Sequence, residues 1–219
     1  MPLENSGEEM GAVFLRLENL ARLENDLKRA KEFYERAEQM SGRSLLSLQA
    51  QINLFSLLIE SEEKSAALEQ RSVIAPVLSN LTTSRDNIFA RINYSESLLK
   101  LTKLVSQTEA DLLLAEAAKN LALSVQQARE IKDSRTLAYA IGSLGSAYEQ
   151  SNQIEESQKL IQQALAIAQS INAPDIAYRW QWQHVKGELE EINKQVPLSS
   201  IFLDINFTKQ NLSKTLISS

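Results

Sequence analysis

Between Gly42 and Gly142 the chain contains no glycine and a single proline, Pro76. Tight hairpin turns call for positive φ, which glycine supplies without steric cost, so a strand-rich fold is hard to build across such a span. Apolar residues recur instead at three- and four-residue spacing: Leu17, Leu20 and Ala21; Leu121, Val125, Ala128 and Ile131; Leu160, Ala164, Leu165, Ala168 and Ile171. This is the amphipathic-helix period. Breaks at 23–26, 40–44, 61–64, 82–86, 106–110, 131–134, 150–153 and 172–175 divide the chain into nine segments, and several put Ser, Thr, Asp or Asn where an N-cap is needed.

The segments repeat. "AQINLFSLLI" (50–59) lies over "ARINYSESLL" (90–99) at an offset of forty, matching Ala, Ile, Asn and a Leu. "LALSVQQAREIKDSRTLAY" (121–139) lies over "IQQALAIAQSINAPDIAYR" (161–179) at the same offset, matching Ala128 to Ala168 and Ile131 to Ile171. A period of this length carrying two helices predicts a helical solenoid, in which each hairpin buries its apolar face only against its neighbours. The spacing from Ile92 to Ile141 is forty-nine, so helices 85–104 and 108–132 are expected to be longer or more widely connected.

Gly142 and Gly145 sit inside a strongly helical stretch, where each costs about 0.5–1 kcal/mol relative to alanine. Close approach of a neighbouring helix accounts for such a choice. Gly145 is expected to face the following helix, 153–171, while Gly142, on a different face, is expected to accept alanine with little loss. Ile141-x-x-Leu144-Gly145-x-x-Tyr148, followed by Ser157, Ile161 and Ala164, resembles the tetratricopeptide repeat (TPR), W-x-x-L-G-x-x-Y…A-x-x-x-F-x-x-A. It departs by Ile for Trp, Ser for Ala and Ile for Phe. A second copy fits Phe14, Leu17, Ala21, Ala30, Tyr34 and Ala37, with Glu18 in place of the glycine.

"LKRAKEFYERAEQMS", "LSLQAQINLFSLLIE", "SRDNIFARINYSESLLKL" and "AYRWQWQHVKGELE", in this order, look like the TPR arrays of bacterial, chiefly cyanobacterial, CHAT-domain proteins. The likeness covers about residues 12–193 and lies in packing positions. It implies an all-α, right-handed superhelical solenoid of four hairpins plus a capping helix, 174–193. Outside that span, residues 1–11 are expected to be a disordered N-terminal segment and 194–219 an irregular or mobile tail. The implied function is a non-catalytic scaffold that receives a protein or peptide partner in the concave groove lined by the first helix of each hairpin. The alternative is the sensor arm of a CHAT-type, caspase-like protease or signalling system whose effector lies elsewhere. Setting Phe14, Ile52, Ile92 and Ile141 as equivalent, the groove-facing offsets give Arg16, Asn19, Asn53, Asn93, Tyr94, Tyr139, Ser143, Arg179, Trp182 and Lys186. The Asn53/Asn93 pair repeats at forty, and asparagine inside a helix is not chosen for propensity.

Other chemistry is sparse. The chain has no cysteine, which excludes thiolate metal sites, disulfides and a CHAT-type nucleophile. His184 is the lone histidine, so no cofactor or metal is expected. "HVKG" (184–187) falls one residue short of the H-x-L-K-G pattern of histidine phosphotransfer domains. The pairs Glu62/Glu63, Glu155/Glu156 and Glu190/Glu191 are adjacent in helices and diverge rather than converge on a substrate. Trp180 and Trp182 must face different directions, one sealing the last hairpin and the other free to anchor a partner. A net charge of −5, with Lys28, Arg29 and Lys31 set among acids, argues against nucleic acid. No membrane-length apolar run and no basic, then apolar leader in "MPLENSGEEMGAVF" occur, so a cytoplasmic location without membrane insertion is expected. After Pro197, "IFLDINF" (201–207) alternates as a short strand would. The polar remainder suggests mobility, and the competing readings are pairing with a sheet elsewhere or folding back over the last hairpin.

Overall fold

A computed structural model describes residues 9–14, 16, 17, 21, 26–41 and 45–195. Among these the regular structure is helical. The run 9–14, with 16, 17 and 21 also helical, forms α1. It is followed by α2 (Leu27–Ser41), α3 (Leu45–Glu60), α4 (Lys64–Ser79), α5 (Arg85–Leu101), α6 (Gln107–Glu130), α7 (Ser134–Gln150), α8 (Ile154–Ser170) and α9 (Pro174–Gln195). A 3₁₀ turn, Thr102–Leu104, prolongs α5, and α6 has 24 residues. Those two features absorb the wider forty-nine-residue spacing. Of the segment expected to be disordered, residues 9–11 are helical and 1–8 lie outside the described residues. The tail after Pro197 lies outside the described residues.

From α2 onward each helix packs on the next in sequence, except that α4 barely touches α5, and α3, α5, α7 and α9 also touch in series. The odd-numbered helices therefore form one layer and the even-numbered helices the other, which is the all-α solenoid expected from the period. The core runs along the seam between layers: Ala30, Tyr34 and Ala37 of α2, Phe55 of α3, Ile74 of α4, Ile88 and Leu98 of α5, Leu121 of α6, Ala164 of α8 and Trp180 of α9 are fully buried. Leu17, expected in the seam, is instead exposed. Ile131 and Ile171 are also exposed, because each caps its helix at the start of a turn.

Four turns share one geometry. Glu62, Lys132, Asn152 and Asn172 adopt φ of 58°, 55°, 60° and 52°. The next residue donates its N–H five residues back: Glu63 to Leu58 O, Asp133 to Ala128 O, Gln153 to Tyr148 O and Ala173 to Ala168 O, at 2.8–3.1 Å. This is the left-handed helix C-cap, which satisfies carbonyls the helix leaves orphaned. Positive φ thus does occur between Gly42 and Gly142, on Glu62 and Lys132, and its absence was not what excluded strands there.

Helix starts are capped by short polar side chains. Asp26 accepts from Arg29 N–H at 3.1 Å, Ser84 from Asn87 N–H at 3.2 Å, and Asp133 from Thr136 N–H at 3.0 Å. Ser106 and Glu109 form a reciprocal capping box. The Ser106 hydroxyl and N–H, then Lys64, hold the Glu109 carboxyl below its ordinary value.

The two glycines answer to two different neighbours. A Cβ on Gly145 would lie 2.8 Å from Ile161 Cγ1 and 3.3 Å from the Ser157 carbonyl, so Gly145 does face α8. A Cβ on Gly142 would overlap the Trp180 indole at Cε2. The expectation that Gly142 tolerates alanine is therefore corrected: Gly142 is the floor on which the α9 indole lies, a contact between repeats that the pattern within one hairpin does not contain.

Candidate binding groove

The odd-numbered helices present equivalent faces. An open cavity is lined by Glu9 and Ala12 of α1, Leu45, Leu46 and Gln49 of α3, and Asp86 and Phe89 of α5. Leu46 and Gln49 lie forty residues before Asp86 and Phe89, so the same face of successive repeats builds the groove. One helical turn further along these faces stand Arg16, Asn53 and Asn93, at the i+4 step from Ala12, Gln49 and Phe89. Arg16 and Asn93 are exposed, and Asn53 is half-buried with its Oδ1 accepting from Gln49 Nε2 at 2.7 Å. The floor is largely apolar, and Glu9 and Asp86 contribute two carboxylates to its lining.

Farther along the array the same layer is closed by side chains. Glu96 of α5 accepts from the Ser143 hydroxyl of α7 at 2.6 Å and from Arg179 Nη2 of α9 at 2.5 Å. The Arg179 guanidinium lies 4.5 Å from the Trp180 ring centre and 5.7 Å from that of Tyr139. Tyr139 meets Phe89 edge-on at 5.6 Å and Trp180 at 6.5 Å. Gln183 of α9 bonds Ser146 and Glu149 of α7. Three consecutive odd-numbered helices are thereby pinned together.

Two of the expected groove residues do not reach a surface. Tyr94 is wholly buried: its ring lies 5.6 Å from Phe55 and its hydroxyl donates to Glu116 Oε1 at 2.7 Å. Burial, then the Glu116 carboxylate, raises the Tyr94 phenol. Ser143 is also wholly buried, on Glu96. Both are corrected to packing residues, because at their level neighbouring helices fill the space. Tyr139 is half-buried among aromatic rings, while Arg179 is exposed over them. Trp182 stands 67% exposed on α9, and Trp180 is the buried member of the pair. Asn19 and the side chains of Lys186 and His184 lie outside the described residues. Glu96, Phe89, Gln49 and Leu46 were not anticipated. The forty-residue repeat relates 46 to 86 and 49 to 89, and carrying it back one and two turns from the Asn pair would have found Gln49, Phe89 and Leu46, whereas no period marks Glu96.

Among the described residues no group of three or more His, Asp or Glu side chains is placed to hold a metal, and no helix is long and apolar enough to cross a membrane. No family model matches the chain, and no curated protein is matched by sequence. Among solved structures it is similar to TTC0263, a thermophilic TPR protein of Thermus thermophilus, at 15% identity and a TM-score of 0.54, over 88% of this chain and 99% of that one. The chain has a TPR-like, all-α helical repeat fold.

Proposed function

We propose that this protein is a non-catalytic interaction scaffold whose odd-numbered helices receive a peptide or partner helix along their common face. The observation that supports this reading is the groove built by three successive repeats from equivalent positions, with Leu45, Leu46 and Phe89 on its floor and Glu9 and Asp86 beside them. An apolar floor anchors a side chain by excluding water, and the carboxylates favour a partner with a basic residue beside that anchor. Arg16, Asn53 and Asn93, one turn along, supply polar groups able to bond a ligand backbone without reading its side chains. Groove binding to a preformed repeat surface needs no rearrangement of the scaffold.

The test selects peptides from a displayed random library and measures them by fluorescence anisotropy. Leu45→Asp, and separately Asn53→Ala with Asn93→Ala, should each weaken selected peptides about tenfold or more at unchanged circular dichroism. Peptides that bind all variants equally would place the binding surface elsewhere.

A further inference from the structure

A solenoid normally ends in polar outer faces. Here α1 and α9, the first and last helices described, expose apolar side chains at positions that the helices between them bury. On α9, Tyr178 is 74% exposed and Trp182 67%. Forty residues earlier, the offset that joins Arg135 to Asp175 in an ion pair, stand Ala138 and Gly142 of α7, and both are buried. Gly142 is covered by the Trp180 indole of the next odd-numbered helix. On α1, Met10, Val13 and Leu17 are exposed at a spacing of three and four, which makes one stripe. The stripe is separate from the groove residues Glu9 and Ala12 and from Phe14, which stacks on Phe33 of α2. With Phe14, Ile52, Ile92 and Ile141 set as equivalent, Met10 answers to Leu48 and Ile88, and Val13 to Arg91 and Ala140, all of them buried. Forty residues beyond Ala140 stands Trp180. Val13 thus holds in α1 the position that Trp180 holds in α9.

We propose that a second copy of this protein stacks its α1 on α9, with Val13 against Trp182 as Trp180 lies on Gly142, so that copies join head to tail. The repeat identifies the occupant. What Trp182 lacks, and Gly142 has, is an odd-numbered helix with an apolar side chain at the Trp180 position. Helix α1 carries such a side chain, and there it is exposed. Large and small exchange sides: within the array an indole lies on a glycine, and between copies a valine lies on an indole. Pairing two α9 helices with each other would cover Trp182 but leave Met10 and Val13 open, and no contact within the array sets one tryptophan on another. The head-to-tail contact is heterologous, using a different patch on each copy, so every added copy brings a fresh α1 or α9 and the stack grows until it closes or runs on. Neither Glu9 nor Ala12 takes part, so the groove stays open and its occupancy is a separate question.

Sedimentation velocity of the full chain tests this. A contact of two helices is small, so the weight-average mass should rise with concentration over a range of about 1–100 μM. Val13→Glu and Trp182→Glu, each at an exposed site and each placing a charge in the contact, should separately hold the protein as a monomer with unchanged circular dichroism. Mixed in equal amounts, the two variants should form a dimer and nothing larger, because the intact α9 of one meets the intact α1 of the other and the remaining ends are both blocked. Met10→Glu with Tyr178→Glu is an independent pair that should behave in the same way, and it decides the matter if either first variant fails to fold. A parent that stays monomeric throughout the range would overturn the proposal. So would a Val13→Glu protein that still dimerises, since α9 would then pair with α9, or a mixture of folded variants that stays monomeric.

Discussion

At the scale of single residues, both helical glycines are there to admit a neighbour, and magnitudes separate the consequences. Gly145→Leu must displace Ile161 and the α8 backbone, an overpacking that should cost about 1–3 kcal/mol in urea denaturation. Gly142→Ala gains about 1 kcal/mol of helix propensity, but its Cβ would sit inside the contact radius of a buried indole. Steric cost wins there, and the variant should lose about 1 kcal/mol net. A Gly142→Ala protein as stable as its parent would show that α9 shifts freely on α7. The four left-handed turn residues make the opposite prediction. Asn152 and Asn172 tolerate positive φ, whereas Lys132 bears the full penalty of a Cβ. Lys132→Gly should therefore stabilise by about 0.5–1 kcal/mol, and Asn152→Gly by less, measured as shifts in the urea midpoint. Asp133, the next residue, is a pH-sensitive cap. Burial pushes its carboxyl up, but the Thr136 N–H and the Arg85 guanidinium, each at 3.0 Å, outweigh it and leave it below its ordinary value. A carboxyl depressed on folding contributes stability above its unfolded pKa and loses it as pH falls through the folded one. Asp133→Asn keeps the cap acceptor without the charge, so its stability should fall less than the parent's between about pH 5 and pH 2.

At the scale of elements, α4 is the loosely held member, since it barely touches α5 and reaches α6 through side chains. Lys64 pairs with Glu109 at 3.3 Å, and Arg71 pairs with Glu116, whose second oxygen accepts from Tyr94. Glu116 thus ties α4, α5 and α6 at one point. Tyr94→Phe should cost about 1 kcal/mol by removing one bond to a carboxylate that Arg71 still neutralises. Arg71→Met should cost more, since Glu116 then keeps only the phenol, and a double-mutant cycle should find the two substitutions non-additive. Helix number, helix length and the forty-residue repeat were legible in the sequence because they follow from local periodicity and caps. The seven breaks from 40–44 onward each fall on a helix boundary or turn. Contacts between repeats were not legible. Gly142 beneath Trp180 and Glu96 between Ser143 and Arg179 join residues 38 to 83 positions apart, and no period within a hairpin encodes them. The groove was half legible for the same reason. Equivalence along one helix face puts Arg16, Asn53 and Asn93 one turn beyond the residues that line the cavity, but the burial of Tyr94 and Ser143 depends on what the neighbouring helix brings to their level.

At the scale of the whole molecule, stability is a sum over neighbouring contacts, so the array can lose an end without losing its middle. Both tryptophans, Trp180 and Trp182, lie in α9. Intrinsic fluorescence therefore reports the last helix, while far-ultraviolet circular dichroism reports every helix. In the parent, α9 is fastened to α7 by the indole on Gly142, by Gln183 on Ser146 and Glu149, and to α5 by Arg179 on Glu96. Those ties should keep the two signals on one urea transition. Gly142→Val forces the indole out and adds a β-branched side chain to the contact, at a cost of about 2–3 kcal/mol placed on that interface alone. The fluorescence midpoint should then fall well below that of circular dichroism, with α1–α8 melting near the parent value. Coincident midpoints that move down together would instead mean that α9 and the rest of the solenoid fold as one cooperative unit, and that the nearest-neighbour description does not hold at this end of the array.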